Sequence, residues 1–301
     1  MEDLLLGLTL IVATTLAGRV WVLLPQPLGR ALGWLSLVGG MIVLFPLDRE
    51  PLVRMVVYCC YLLGSMKSLV YVEWGAKGRR LQWSRYLVFA FLWLGMEPGE
   101  FARDRRKLRW TSHLQVGLSC VMGGTLGALL ARALGWTNIL ILFVPMSIAF
   151  HYGALRLLAC ALRISGFPVR TLFRNPLATT GLGDFWGARW NLGYAHMMVR
   201  TVLRPSERIL GPRMAFFVVF LFSGLLHEVA ITLPVGMGYG LPTLYFVIQA
   251  LAVEVERRFI PAKGRFFWAL ACILIPVGLL FPPAFREECI LRVLYFLPDL
   301  L

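Results

Sequence analysis

Residues 214–233 read MAFFVVFLFSGLLHEVAITL, twenty residues with no lysine, arginine or aspartate and a single glutamate, Glu228. A bilayer core about 30 Å thick needs roughly 20 mainly apolar residues per helix, so this stretch reads as a membrane span. The same test picks out 4–24, 114–134, 139–162 and 266–285. Shorter or less pure stretches follow at 31–45, 52–72 and 241–255, each bounded by turn or charge signals. The expected fold is all-α, a polytopic transmembrane bundle of about eight spans, with 1–301 as one integral-membrane domain. The acidic start Met1-Glu2-Asp3 has no basic n-region, so the first span reads as a retained helix.

Composition agrees with that reading. The chain of 301 residues is 58% apolar and 15% charged, with a mean hydropathy of +0.72. Soluble chains run at roughly 45–50% apolar and about 25% charged. Thirty basic residues face sixteen acidic ones, a net charge of +14. In so apolar a chain the excess points to basic loops on the cytosolic side and to anionic headgroups, and nucleic acid is not needed. Eight arginines lie between Arg163 and Arg213, whereas the connection 234–240 carries no charge. The first is therefore expected in the cytosol and the second outside, with an outside N-terminus.

Basic runs flank 83–96 on both sides: Lys77-Gly-Arg79-Arg80 before it, and Arg103-Asp-Arg105-Arg106-Lys107 after. Both belong in the cytosol, so a re-entrant or half-helix is the economical reading. Broken backbone at depth needs a covering of protein or a cavity, which implies an enclosed chamber. Cys59, Cys60, Cys120, Cys160 and Cys272 fall inside spans as small apolar side chains, and no Cys/His spacing suggests zinc. Gly123 and Gly127 form a small-xxx-small pair, read as a close helix contact.

Ionisable groups at membrane depth cost about 2.5–3.5 kcal/mol on insertion scales and face a cavity or a partner. His227 and Ser223 are four residues apart on one helix face, and Glu228 lies about 100° further round the axis. A buried histidine bonded to Ser223 or a nearby carbonyl, with Glu228 neutralised by an arginine, would account for the cluster. Equally, a histidine titrates near neutrality and is the usual general base. His151 is a second intramembrane histidine, read first as a structural hydrogen-bonding group. A further cluster, DFWGARWN at 184–191, follows the Gly/Thr-rich stretch 179–183. Asp184 is placed to N-cap a helix, Asp184 and Asn191 stand two turns apart, and Phe185, Trp186 and Trp190 form an aromatic shoulder. An amphipathic surface helix with tryptophans at headgroup depth is the alternative.

Taken together, the two clusters resemble the wax-synthase branch of the membrane-bound O-acyltransferase superfamily. DFWGARWN is similar to that branch's Asp-Phe-Trp…Arg-Trp-Asn signature. SGLLHE at 223–228 is similar to the Ser-x-x-x-His-Glu helix that bears the family's catalytic histidine. Asn191 precedes His227 by 36 residues, in the family's order. Ala188 departs from the pattern, where wax synthases often carry a second arginine. The resemblance runs from about Trp93 to Leu233. It implies acyl transfer from acyl-CoA, as co-substrate, to the hydroxyl of a lipophilic alcohol. His227 would be the general base and Asn191 would hold the thioester carbonyl. Ser223, Asp184, Trp186, Trp190 and Glu228 would support them, and Arg174, Arg189, Arg200 and Arg204 would meet the CoA phosphates. No metal and no tightly bound cofactor is implied. A long-chain fatty alcohol is the favoured acceptor, with a sterol, a diacylglycerol or a secondary metabolite as alternatives. A transporter with His227, His151 and Glu228 in a polar pathway is the reading from another class. Both the bacterial inner membrane and the endoplasmic reticulum fit.

Overall fold

In hydrocarbon the backbone must satisfy its own polar groups, and an apolar stretch of about twenty residues does so as an α-helix. The computed structural model describes residues 2–104, 107–136 and 138–293, and the described residues hold helices and no strand. Arg105 and Arg106 of the second basic run lie outside them. The protein is a multi-pass integral membrane protein.

Three helices open the chain: α1 (Glu2–Trp21), α2 (Gln26–Leu44) and α3 (Pro51–Gly75). A proline in the first turn of α2 and of α3 sets their starts, where the missing N–H is no loss. The third is the core helix of the group, with 72% of its most apolar window buried against 22% for the other two. Next comes α4 (Trp83–Phe91), only nine residues, which at 1.5 Å per residue is too short to cross. The expected half-helix is therefore present. Lys67 of α3 covers its broken end, donating from Nζ to the carbonyls of Phe89 at 2.7 Å and Gly95 at 2.9 Å.

A second group pairs α5 (Thr111–Ala133) with α6 (Ile139–Ser147) and α7 (Leu155–Ile164). The last two form one crossing, joined through a wide π turn, Ile148–Ala154, which holds His151. Small residues do bring this pair close, but one position away from the expected pair. A Cβ on Gly124 would lie 2.5 Å from the Pro145 carbonyl, while Gly123 faces open space and Gly127 meets only the Pro145 side chain at 3.1 Å. Helical rotation of about 100° per residue decides which glycine faces the partner.

After the connecting segment 165–191, α8 (Leu192–Met198) runs through a π turn into α9 (Arg204–His227). That helix kinks at Gly211 (φ 77) ahead of Pro212 and continues beyond His227 as a second wide turn, Glu228–Thr232. Two more helices, α10 (Leu241–Phe259) and α11 (Arg265–Leu274), complete the third group.

Seven described stretches are long and apolar enough to cross, and α10 is not among them. Polar contacts nevertheless sort the helix ends to two sides. Asp3 pairs with Arg49 at 3.8 Å, Arg54 donates to the Leu233 carbonyl at 3.0 Å, and Arg292 pairs with Glu50. At the other side Arg80 donates to the Val22 carbonyl at 2.6 Å and Arg213 pairs with Glu254 at 3.7 Å. Leu233 and Glu254 thus stand on opposite sides, so α10 crosses and supplies the eighth span. Its charged end, Glu254 to Arg258, is what keeps it out of the purely apolar set.

Candidate active site

The site begins where the long helix α9 widens. His227 donates from Nδ1 to the main-chain carbonyl of Ser223, 2.7 Å away. A carbonyl only accepts, so the proton sits on Nδ1 and Nε2 keeps its lone pair. The Ser223 hydroxyl does not orient the imidazole as the spacing suggests. It donates to the Val219 carbonyl at 2.9 Å and accepts from the Tyr194 hydroxyl at 3.0 Å. The ring of His227 packs against Phe246 of α10, with centroids 4.4 Å apart.

Glu228 needs no arginine. Its carboxylate accepts from Thr232 Oγ1 at 2.5 Å and, across the helix interface, from Thr243 N at 2.9 Å and Thr243 Oγ1 at 2.8 Å. The glutamate therefore ties the turn after His227 to the start of α10. Close approach there requires Gly224, where a Cβ would lie 2.7 Å from Thr243 Cα.

Asn191 comes from the other cluster, and its backbone differs from the expected helix face. Residues 185–189 make a wide turn, Trp190 is extended, and Asn191 is left-handed at φ 41, the one such non-glycine residue among those described. Two crossed backbone bonds hold it there: Arg174 N donates to Arg189 O at 2.9 Å, and Leu192 N to Leu172 O at 2.8 Å. Its Oδ1 caps α8 by accepting from Tyr194 N at 3.2 Å, which leaves the amide N–H groups as free donors. Asparagine suits both tasks, since it tolerates this backbone and caps helices well.

The expected cap at Asp184 moves to another residue. Glu256 of α10 reaches the start of the motif and accepts from Leu182 N at 2.5 Å and Gly183 N at 3.2 Å. Gly181 makes room for it, because a Cβ there would sit 2.8 Å from Glu256 Oε1. Asp184 turns back instead to accept from Thr180 N at 2.9 Å and Arg189 Nε at 2.5 Å. Burial alone would push its carboxyl up, but the Thr180 N–H and the Arg189 guanidinium outweigh that and hold it below the usual carboxylate range. Trp186 donates to Gln249 Oε1 at 3.2 Å, and Gln249 in turn to the Cys272 carbonyl at 2.7 Å, so α10 and α11 both anchor the motif.

These elements enclose a cavity of about 490 Å³ lined by both His227 and Asn191. Trp186 and Trp190 line it as well and do not sit on a surface helix. His151 faces it from the second helix group. Of the four arginines expected to meet phosphates, Arg189 is held by Asp184 and Arg200 by Glu97 at 2.8 Å. Arg174 is exposed beside a smaller cavity of about 150 Å³ shared with His196, Glu97 and Glu100. Arg204 is exposed and lines neither cavity. The arginine that does line the main cavity is Arg257, over the Phe216 ring at 5.0 Å. Sequence reasoning missed it, along with Tyr194, Glu256 and Lys67. Only Lys67 carried a readable signal, a charge in the middle of a span.

Known proteins share this part of the chain. Residues 169–248 match the model of the membrane bound O-acyl transferase family. Acyl-CoA–sterol O-acyltransferase 1 of Arabidopsis thaliana is 32% identical over 131 residues, 38% of this chain and 37% of that protein. Probable long-chain-alcohol O-fatty-acyltransferase 2 of the same plant is 30% identical over 155 residues, 43% of each. The long-chain-alcohol O-fatty-acyltransferase of Simmondsia chinensis is 36% identical over 72 residues, 21% of this chain and 20% of that protein. The chain thus matches about two fifths of the length of the first two relatives and a fifth of the third.

Proposed function

We propose that the chain, through residues 169–248, belongs to the membrane-bound O-acyltransferase family, in its wax-synthase-like branch. On that premise we propose that it moves an acyl group from a CoA thioester to the hydroxyl of a lipophilic alcohol, with His227 as general base. One observation carries the reading. An unprotonated Nε2 on His227 and the free amide donors of Asn191 line the same largely aromatic cavity.

In the proposed reaction the alcohol oxygen attacks the thioester carbonyl as Nε2 takes its proton. The C–O bond forms and the carbonyl oxygen becomes an oxyanion, held by the Asn191 amide. Collapse breaks the C–S bond, and the imidazolium returns its proton to the departing CoA sulfur. Ester and free CoA leave. General-base help is worth about 10²–10⁴-fold, and one oxyanion donor about 10²–10³-fold. Arg257, which lines the cavity near the charged end of α10, is the candidate contact for the donor's phosphates. Sterol and long-chain-alcohol relatives both match, and a long-chain alcohol is the acceptor we favour.

The test is ester formation by purified protein with labelled acyl-CoA and a panel of alcohols. We expect His227→Ala to lower kcat by at least about 10²-fold while the thermal unfolding profile stays that of the wild type. Undiminished ester formation by a folded His227→Ala protein would defeat the mechanism.

A further inference from the structure

The proposed reaction leaves His151 without a task. Rings in contact form one wall of the cavity. His151 lies 5.0 Å from Trp190, Trp190 5.4 Å from Phe185, and Phe185 5.0 Å from Trp186. Trp186 lies 5.7 Å from Phe246, and Phe246 4.4 Å from His227. The wall therefore has a histidine at each end, and the two come from different helix groups.

His151 is built into this position. It sits in the wide turn Ile148–Ala154, just as His227 immediately precedes the wide turn of its own helix. Such single π turns inside α-helices are frequent at functional sites. Ser147 Oγ holds Nδ1 at 3.0 Å, and the ring faces pack against Phe150, Phe173 and Trp190. Nε2 is the remaining polar atom, on a residue that lines the cavity. A ring nitrogen facing the cavity can hydrogen-bond a polar ligand group there, whereas a plain alkyl chain would cover it and leave it unpaired. Whichever nitrogen carries the proton, a hydroxyl satisfies Nε2, because a hydroxyl both donates and accepts.

We propose that His151 forms a second hydroxyl-binding subsite. The preferred acceptor then carries, besides the hydroxyl acylated at His227, another hydroxyl further along its hydrocarbon skeleton. This subsite rests on the acyl-transfer reading for its role, but binding can be measured without the reaction.

The experiment compares hexadecanol with diols of the same chain length whose second hydroxyl is mid-chain or at the far end. Wild type, His151→Phe and His151→Gln are assayed by acyl transfer and by thermal stabilisation without acyl donor. Wild type should favour one diol by roughly three- to tenfold in kcat/KM, the range of one neutral hydrogen bond, with the difference in KM. His151→Phe, which keeps an aromatic ring, should bring the diol-to-hexadecanol ratio to near one, and His151→Gln should restore part of it. Equal use of hexadecanol and both diols by wild type overturns the subsite, and so does a diol preference retained in His151→Phe. If no alcohol is acylated, the acyl-transfer reading fails, and the thermal shifts alone still decide the subsite. Diol-specific stabilisation lost in His151→Phe supports it, and its absence in wild type overturns it.

Discussion

Asn191 does two jobs that substitutions can separate. Its backbone at φ 41 favours glycine or asparagine, while its side chain caps α8 and offers amide donors to the cavity. Asn191→Gly keeps the backbone comfortable and costs only a few tenths of a kcal/mol as a cap, yet it removes the amide. We expect a folded protein of near-normal melting temperature whose kcat falls about 10²–10³-fold. A variant with wild-type kcat would remove Asn191 from the reaction. Glu100 offers a pH test away from the membrane-spanning helices. Burial pushes its carboxyl up to about 7, against the N–H and charge of Arg170, which pull it down. The folded state thus binds this proton more tightly than the unfolded chain. Its stabilising contribution is full below about pH 4.5 and is lost as the pH rises through about 7. Melting temperature in detergent should fall across that interval, and Glu100→Gln should flatten the change.

Elements meet at the site through polar clamps and through glycines that admit them. Glu228 joins α9 to α10, and Glu256 of α10 caps the turn that carries Trp186. Gly224→Ala would drive a methyl group to 2.7 Å from Thr243 Cα, which only a shift of one helix relieves. Overpacking of this kind costs about 1–3 kcal/mol, and here it also displaces Glu228 and His227. Lower stability together with lower kcat is expected, readable by thermal unfolding and by the ester assay. Lys67 works similarly on the half-helix, closing the carbonyls of Phe89 and Gly95. Gly95 in turn lies against Gly193, where a Cβ would be 3.1 Å from its Cα. Lys67→Met leaves two buried carbonyls without donors, each worth about 1–3 kcal/mol, and should lower the melting temperature markedly.

Across the whole molecule, the first and third helix groups pack directly on each other, and the segment 165–192 ties in the second, through Phe173 and Trp190 against His151. Polar contacts put Arg49 and Leu233 at one side and Arg80 and Glu254 at the other, with Met237 and Lys263 in the connections next to those ends. Cysteines introduced at Met237 and Lys263 should therefore react with an impermeant maleimide from opposite faces of sealed vesicles. Labelling of both from one face would remove α10 as a crossing and with it the shared cavity.

Much of this is legible in the sequence. Apolar length determines helix and membrane, because hydrocarbon allows few other ways to satisfy a backbone. The arginines at 163–213 set the expected orientation. The motifs at 184–191 and 223–228 single out Asn191 and His227. The two clusters also mark Ser223, Glu228 and Asp184 as polar groups needing partners, but local spacing names the wrong ones. Ser223 turns to Tyr194, Glu228 to Thr243, and the Asp184 cap belongs to Glu256. Those partners lie 15 to 74 residues away along the chain. Periodicity reports only neighbours within a turn or two, so such contacts stay hidden until helices pack. Sequence alone therefore determined the membrane, the helices and the two motif residues, His227 and Asn191, that line the cavity. Tertiary packing decided which polar groups meet, what wall joins His151 to His227, and which arginine reaches the cavity.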